Sequence, residues 1–199
     1  MKQEIQDCYT WFSQAQSAEN KSPICPTRDI FQGRLDRFYR DLISWTRNES
    51  DSALLSAVAG EIGNNCFDHN LGQWRDTPGC WFDCGLDKLL VWTVIADRGQ
   101  GVLSSLGRVD PSLKSDQQAL ETAFHKRLSG RSPEKRGNGL KFVRSVINGE
   151  ENRGLVFVSG QGQVAFGKLS FQAGELVSTT SGTAVRKGTF ALVLWSQKT

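Results

Sequence analysis

The sequence predicts an α+β fold, a two-layer α/β sandwich with helices on one face of a mixed, mostly antiparallel sheet. Two observations predict this class. Apolar residues recur at helical spacings early in the chain, whereas short β-rich runs separated by turn signals fill its last third. Such segregation is typical of α+β proteins, since regular alternation of helices and strands would indicate a parallel sheet. With 199 residues, the chain is long enough for one domain with a substantial core.

The composition excludes several classes of protein. Twenty-four Lys and Arg residues against 21 Asp and Glu give a net charge of +3, too small to indicate a nucleic-acid-binding protein. No apolar run approaches the ~18 residues of a membrane span, and the first residues lack the apolar segment of a signal peptide. Five cysteines leave one unpaired in any disulfide scheme, which favours a reducing compartment. We therefore expect a cytoplasmic protein that binds neither nucleic acid nor a membrane.

Residues 1–27 are predicted to be an N-terminal extension, and residues 28–199 the folded domain. The extension has mixed polarity and ends in the proline-containing segment NKSPICPT, which is typical of a linker. It is a candidate regulatory or dimerising arm, so a homodimer is compatible with the sequence.

Two helices are predicted at the start of the domain. The first should begin at about Thr27, because apolar residues then recur at helical spacings: Ile30, Leu35, Phe38, Leu42 and Ile43. Residues 48–52 should form a break, with Ser50 and Ser52 among its capping residues. The second helix should then cover residues 53–69.

The remaining elements follow from local patterns. After a turn-rich segment, NLGQWRDTPG, two strands are predicted in CWFDCG and KLLVWTVIA. A helix is predicted from Asp116 to Leu128, and GNGLKFVRSVING predicts a turn that leads into another helix. Three β-rich runs come last: GLVFVSG, VAFGKLSF and GTFALVLW.

One segment imitates a phosphate-binding loop. Residues 162–169, GQVAFGKL, nearly match the Walker pattern, but position 169 is Leu, which lacks the hydroxyl that binds Mg²⁺ in that motif. The residues between the glycines are strand-like, and no helix is expected to follow. We therefore predict a β-hairpin at this place.

Glu61, Asn65 and Asp68 form a polar stripe on the second predicted helix. Their i, i+4 and i+7 spacing places them on one face of an α-helix. A separate apolar stripe lies about 100° around the helix; its members are Leu55, Ala59, Ile62 and Cys66. The helix can therefore pack against a sheet and present two carboxylates and an amide to a cleft. The alternative is a solvated face, but consecutive Asn residues in mid-helix disfavour a purely structural helix.

Asp97 is the central residue of a second motif, VIADRGQGV. It ends an apolar strand, and a carboxylate at the mouth of a strand can accept a hydrogen bond from an exocyclic amine. Gly99 and Gly101 follow it, and glycine allows a backbone with positive φ that approaches a ligand closely. The alternative interpretation is an ordinary turn from strand to loop.

Two further motifs lie nearer the C-terminus. In RGNGL, Gly137 and Gly139 open a predicted helix, and the free N–H groups of a helix N-terminus can bind an anion. A glycine-rich hinge is the alternative there. In KGTFALVLW, Thr189 leads into the last strand.

Taken in order, these four motifs resemble the ATP-binding domain of the GHKL superfamily. They read E-x-x-x-N-x-x-D-H, D-x-G-x-G, G-x-G-L and a C-terminal strand beginning G-T, and the resemblance covers about residues 52–196. The superfamily includes gyrase B, mismatch-repair MutL, histidine-kinase catalytic domains and anti-sigma-factor serine kinases. The segment from Glu61 to Val102 is similar to stand-alone bacterial histidine-kinase-like ATPases, some of which resemble anti-sigma factors. The resemblance implies a Bergerat-type sandwich that binds ATP and Mg²⁺.

The resemblance also implies roles for individual residues. Glu61 would orient or deprotonate the nucleophile at the γ-phosphate, and Asn65 would ligate Mg²⁺. Asp97 would bind the adenine amino group, with Thr189 supporting it through water. The remaining nucleotide-binding residues would be Asp68, Gly99, Gly101, Arg136, Gly137, Asn138, Gly139 and Leu140.

The segment FHKRLSGRSPEKR corresponds to the superfamily's ATP lid. Its basic side chains would offset the charge of the triphosphate when the lid closes; they are Lys126, Arg127, Arg131, Lys135 and Arg136. A solvated, flexible loop is the alternative for each of them, and Arg136 is the favoured contact because it adjoins the glycines.

Some residues depart from the histidine-kinase pattern. Those kinases usually have Asn at the position of Glu61, so Glu favours hydrolase or serine-kinase chemistry. The chain has only two histidines, His69 and His125, and neither lies on a dimerisation helix, so a complete histidine kinase is not expected. His69 is predicted to be a packing or hydrogen-bonding residue at a helix end. With Cys80 and Cys84 it matches no zinc-binding spacing.

The expected function is therefore Mg²⁺-dependent ATP binding that regulates a protein partner. ATP hydrolysis is one mechanism, and phosphoryl transfer to a Ser or Thr of the partner is another. The alternative is a non-catalytic interaction module in which bound nucleotide stabilises a partner-binding conformation.

Overall fold

The computed structural model describes residues 1–14, 23–70, 72–125, 138–178 and 188–197. Within this part of the chain the helices are α1 (Lys2–Ser13), α2 (Arg28–Thr46), α3 (Glu49–Asp68), α4 (Gly101–Leu106), α5 (Asp116–His125), α6 (Gly139–Asn148) and α7 (Ser170–Ser178). The strands are β1 (Ile24–Cys25), β2 (Cys80–Asp87), β3 (Leu90–Asp97), β4 (Arg153–Ser159), β5 (Gly162–Phe166) and β6 (Thr189–Ser196). No helix of these described segments is long and apolar enough to cross a membrane.

The strands form one six-stranded sheet in the order β1-β2-β3-β6-β4-β5. Each of its five strand pairs is antiparallel, so the fold is α+β as predicted, without the parallel pairs that a mixed sheet would contain. One row of directly opposed residues crosses the whole sheet at one end. This end row consists of Cys25, Cys80, Asp97, Thr189, Ser159 and Gly162.

The main helical layer covers one face of the sheet. Alternate residues of a strand point to opposite faces, and Val91 and Ile95 of β3 pack in a core cluster with residues of α2, α3, α5 and α6. Asp97 has the same parity as these two residues. The side chains of the end row therefore face the main helical layer, beneath the C-terminal part of α3.

Helices also cover the other face, so the expectation that helices lie on one face only is wrong. Trp92 and Val94 of β3 pack in a second cluster with residues of α1 and α7. The region predicted to be an extension thus begins with a helix whose apolar side is fully buried, as at Phe12. Removing such apolar side chains from water stabilises the fold by about 1.5–3 kcal/mol each. The sheet and its main helical layer are consistent with a two-layer sandwich, to which α1 and α7 on the other face do not belong.

Arg98 connects α1 to the end of β3. Its side chain is 2% exposed, and its guanidinium lies 4.9 Å from the ring centroid of Trp11. It also donates a hydrogen bond of 3.0 Å to the Gln14 carbonyl and forms an ion pair of 3.2 Å with Asp76. The residue next to Asp97 therefore anchors the N-terminal helix.

The boundary between α2 and α3 differs in detail from its prediction. Arg47 ends α2 in the left-handed conformation with φ 53°, and Asn48 caps α3 by accepting a hydrogen bond of 3.1 Å from the Asp51 amide. Ser50 and Ser52 lie inside α3, so their prediction as caps is wrong. Asn48 prevails because its side chain reaches the free amide three residues ahead, and α3 begins four residues before the predicted start.

The C-terminal hairpin also corrects two expectations. Ser159 pairs with Gly162 across a two-residue turn, which confirms a β-hairpin in place of a phosphate-binding loop. However, a helix does follow, since α7 begins at Ser170. The predicted strand VAFGKLSF is therefore wrong beyond Phe166, where β5 ends. The sequence analysis also did not predict β1 or α4.

Candidate functional site

Asp97 lies at the centre of the end row and is 1% exposed. Its Oδ1 accepts hydrogen bonds of 2.8 Å from the Gly99 amide and of 2.8 Å from Nδ2 of Asn70. Its Oδ2 accepts a hydrogen bond from the Thr189 hydroxyl. Burial raises the pKa of Asp97, while the bonds from Thr189 and Gly99 oppose that rise by stabilising the ionised form.

Thr189 therefore contacts Asp97 directly, and its support of a bound adenine through water stays a prediction. The two residues are opposed in the β3–β6 register, and the register places Ser159 of β4 opposite Thr189 on its other side. Ser159 donates a hydrogen bond of 3.1 Å to the Gly188 carbonyl and accepts one of 3.0 Å from the Val102 amide. Carboxylate, hydroxyl and hydroxyl thus follow one another across three adjacent strands.

Glycines make the close packing at this end of the sheet feasible. Gly188 has φ 98°, and a Cβ there would overlap the backbone of Asp97. Gly101 has φ 79°, and its Cβ would lie 3.1 Å from the Ser159 hydroxyl. Residues other than glycine rarely adopt the positive-φ conformations of these two positions. The glycine predicted at 101 therefore serves the approach of the loop after β3 to β4.

Asn70 belongs to this site, although sequence reasoning did not select it. The side chain is 3% exposed, and in addition to Asp97 its Nδ2 donates a hydrogen bond of 3.0 Å to the Cys66 carbonyl. Its Oδ1 accepts one of 3.1 Å from the Gln100 amide. A Cβ at position 99 would overlap the Asn70 amide, which explains why residue 99 is a glycine. The available signal was an Asn directly after the polar stripe, at the end of a predicted helix.

The predicted polar stripe is present on α3, but its three members have different surroundings. Asp68 forms an ion pair with Arg28 of α2. Asn65 is half-buried, and its side-chain amide has no hydrogen-bond partner among the described residues. Glu61 is exposed, and its carboxylate lies against Gly139, where an added Cβ would overlap Oε2. The structure thus brings Glu61 and the third motif together.

The third motif lies at the N-terminus of α6. Gly139 is the first helical residue, and the exposed Asn138 precedes it as the N-cap without a side-chain capping bond. Leu140 is half-buried and packs against the first core cluster. Arg136 and Gly137 lie outside the described residues, as do the other predicted lid cations Lys126, Arg127, Arg131 and Lys135.

His69 acts as the hydrogen-bonding residue that the sequence predicted. It is the C-cap of α3; its Nδ1 lies 3.2 Å from the Ser105 hydroxyl, and its carbonyl accepts a hydrogen bond from the Gln100 side chain. Three thiols border the site, of Cys25 and Cys80 in the end row and of Cys66 on α3. Burial raises the pKa of Cys80 well above its ordinary value. In the described segments no group of three or more His, Cys, Asp or Glu side chains is arranged to hold a metal ion.

The arrangement has two parts that α3 connects. One part is a buried acceptor, Asp97, bordered by glycines; the other is an exposed carboxylate, Glu61, at a helix N-terminus. From Glu61 to Asp68, the last residue of α3, the chain advances about 10.5 Å along the helix axis, at 1.5 Å per residue. No protein-family model matches the chain, and no curated protein matches it either.

Proposed function

We propose that this chain is a Mg²⁺-dependent ATP-binding domain of the GHKL type, with a Bergerat-type sandwich as its fold. The observation that carries the proposal is the buried carboxylate of Asp97 at the end of a central strand. A carboxylate removed from water is costly unless it is hydrogen-bonded or bound by a partner. The four motifs of the resemblance occur in the order that the proposal needs.

The base-binding part of the proposal rests on Asp97 and its neighbours. A carboxylate has about four acceptor positions, and Asn70, Gly99 and Thr189 donate to three of them. The Cys66 thiol also hydrogen-bonds to the carboxylate, but a thiol is a weak donor that an amine of a ligand can displace. Oδ1 already accepts two amide donors, so a further donor would bind at Oδ2, beside the Thr189 hydroxyl. The exocyclic amine of adenine is such a donor, whereas the O6 of guanine would place an acceptor against a carboxylate.

The phosphate-binding part rests on α3 and the start of α6. The distance of about 10.5 Å along α3 from Glu61 to the end of the helix is one that an extended nucleoside triphosphate can bridge. Free amides at the N-terminus of α6, near Asn138 and Gly139, suit phosphate oxygens. Asn65 fits Mg²⁺, because this ion prefers oxygen ligands and takes few from the protein while keeping waters and phosphate oxygens. Bound Mg²⁺ would offset the charge of the phosphates.

Glu61 is the proposed general base. Its carboxylate accepts a proton from water, or from a Ser or Thr hydroxyl of a protein partner. The oxygen so activated bonds to the γ-phosphorus while the bond from that phosphorus to the β,γ-bridging oxygen breaks. ADP leaves with the bonding electron pair. With water the product is inorganic phosphate, and with a hydroxyl it is a phosphorylated partner.

One observation favours the second candidate function, a non-catalytic nucleotide-binding interaction module. The Glu61 carboxylate lies against the first residue of α6, where a negative charge stabilises a helix by about 0.3–1 kcal/mol. In this role Glu61 needs no substrate. Bound nucleotide would then only stabilise the conformation that a protein partner recognises.

Calorimetric titration of the full chain with Mg·ATP tests the proposal, and Glu61→Gln distinguishes the two candidates. We expect wild-type protein to bind Mg·ATP, and incubation with γ-labelled ATP and cell extract to release phosphate or label a protein. If Glu61→Gln binds Mg·ATP as wild type does but turns over at least 100-fold more slowly, the catalytic function is supported. Binding of Mg·ATP without turnover favours the interaction module, equal turnover of both proteins refutes Glu61 as the base, and absence of binding by wild type refutes both candidates.

A further inference from the structure

We infer that Asn70 is the residue that orients Asp97 for base recognition and links the base-binding loop to the last turn of α3. This inference rests on the proposed function for its ligand, but the geometry that it assigns to Asn70 does not.

The first step is that two donors hold a single oxygen of Asp97. The Asn70 amide and the Gly99 backbone both donate to Oδ1, each at 2.8 Å. The terminal torsion of an aspartate is soft, so a carboxylate without such contacts would sample a broad range of orientations. Together the two donors fix which oxygen faces inward. Oδ2 is then the oxygen that remains for a ligand.

The second step is that only an amide satisfies the surroundings of residue 70. Its Nδ2 faces two acceptors, the Cys66 carbonyl and the Asp97 carboxylate, while its Oδ1 faces the Gln100 amide. This network also settles the orientation of the amide, because a flipped group would bring its oxygen against Asp97. A carboxylate at position 70 would oppose Asp97 in the same way. At 3% exposure the group is removed from bulk solvent.

The third step is that Asn70 joins two parts of the site. Its bond to Cys66 lies in the helical turn that also contains Asn65, the proposed Mg²⁺ ligand. Its bond to Gln100 holds the loop that continues into Gly101. Loss of the side chain should therefore disturb base recognition and the relation between base and phosphates, and not merely the local packing.

The test compares identical substitutions at two asparagines near the end of one helix. Asn70→Ser and Asn70→Asp are the test variants, and Asn64→Ser and Asn64→Asp are the matched controls. Asn64 is half-buried on α3 and accepts a hydrogen bond of 2.8 Å from Gln32, away from Asp97. A serine hydroxyl is too short to replace both donor contacts of the Asn70 amide. If the second buried carboxylate in Asn70→Asp prevents folding, Asn70→Ser serves as the milder variant.

Two readouts separate positioning from packing. The first is the pKa of Asp97 from carboxyl-carbon NMR titration of the full chain. Both Asn70 variants should raise it, Asn70→Asp more strongly because a like charge then faces Asp97. The second is the ratio of the dissociation constants for Mg·GTP and Mg·ATP. Asn70→Ser should weaken Mg·ATP binding about tenfold, the effect of one hydrogen bond to a charged group. Mg·GTP binding should change less, so the preference for ATP should fall.

The outcomes distinguish this inference from the proposed function. An Asp97 pKa that is unchanged in both Asn70 variants overturns the positioning role, whether or not the nucleotide affinities change. If wild type prefers Mg·ATP and both Asn70 variants keep that preference, the inference fails while the proposed function stands. An equal loss of both nucleotides in Asn70→Ser indicates a packing role and overturns the inference. If wild type binds neither nucleotide, the proposed function fails and the ligand role of Asn70 fails with it.

Discussion

Replacing Asp97 with Asn should leave the fold intact and abolish recognition of adenine. The surroundings of the side chain show why the substitution should affect binding but not folding. Oδ1 faces two obligatory donors, the Gly99 amide and the Asn70 amide, so an Asn at position 97 must place its own oxygen there. Its NH₂ group then replaces Oδ2 and faces the Thr189 hydroxyl. That hydroxyl can rotate from donating to accepting, so the contacts with Gly99, Asn70 and Thr189 survive.

The expected magnitudes differ for folding and for binding. The neutral amide avoids the cost of burying a carboxylate, so the free energy of unfolding should change by less than about 1 kcal/mol near neutral pH. Binding should suffer more, because an N–H donor now faces the amine that the proposed ligand presents. One lost hydrogen bond and one unpaired buried donor together cost about 2–4 kcal/mol, which corresponds to a 30- to 1,000-fold weaker affinity.

The pH dependence of stability gives a second signature of the same substitution. Burial raises the pKa of Asp97 in the folded protein, so between the unfolded and folded pKa values the native state binds more protons. The contribution of Asp97 to the free energy of unfolding is therefore fully present below the unfolded pKa. It falls as the pH rises through the folded pKa. In Asp97→Asn this decline should vanish.

Urea unfolding of wild type and Asp97→Asn between pH 3.5 and pH 8, with calorimetric titration of Mg·ATP at pH 7.5, measures both effects. Asp83→Asn is the control. Burial also raises the pKa of Asp83, but this residue lies on β2, away from the proposed site. Unchanged Mg·ATP affinity in Asp97→Asn would refute the assignment of Asp97 to the base. Loss of the folded state would refute the argument that the Thr189 hydroxyl can adapt.

Three further predictions concern single residues. Glu61→Gln should keep Mg·ATP affinity within threefold but lower phosphoryl transfer at least 100-fold, as measured by release of labelled phosphate. Phe12→Ala should lower the free energy of unfolding by about 3–5 kcal/mol in urea titrations, because its fully buried ring packs 5.9 Å from that of Phe190; an unchanged value would mean that α1 is not part of the core. Gly188→Ala should lower the melting temperature, since a side chain at φ 98° is strained and overlaps the backbone of Asp97, whereas Gly174→Ala, with open space around it, should not.

The sequence predicted best those elements whose apolar pattern is long and local. Strand β3 is an almost unbroken apolar run, and α3 carries an apolar stripe, so both were predicted near their observed positions. The predicted strand VAFGKLSF runs into the first two residues of α7, and packing of α7 against the second face of the sheet prevails over that local preference. Helix α1 was not predicted, because its apolar residues lie among polar ones and become informative only when a partner face is known.

The candidate site was predictable to the extent that its residues belong to short motifs. Asp97 and Gly99 were selected because a carboxylate and a glycine follow one strand directly. Asn70 was not, because its role depends on a distance in space to a residue 27 positions later. The row of opposed residues across the strand ends depends likewise on register. Register comes from pairing of distant segments, and one sequence without such pairing information does not determine it.

The end row is difficult to explain by stability alone. A carboxylate at 1% exposure carries a desolvation cost, and protein interiors that replace buried charges with apolar groups of similar size are often as stable or more so. Here hydrogen-bond donors surround one buried carboxylate, and they come from α3 and the residues directly after it, the loop after β3, and β6. Two glycines with positive φ hold the neighbouring backbone close, although each of them weakens the folded state through the entropy of the unfolded chain. Such an arrangement maintains an oriented hydrogen-bond acceptor that is shielded from bulk solvent. An oriented acceptor is what specific recognition of a hydrogen-bond donor requires, and this is the physical reason why the proposed ligand is assigned to Asp97 rather than elsewhere on the sheet.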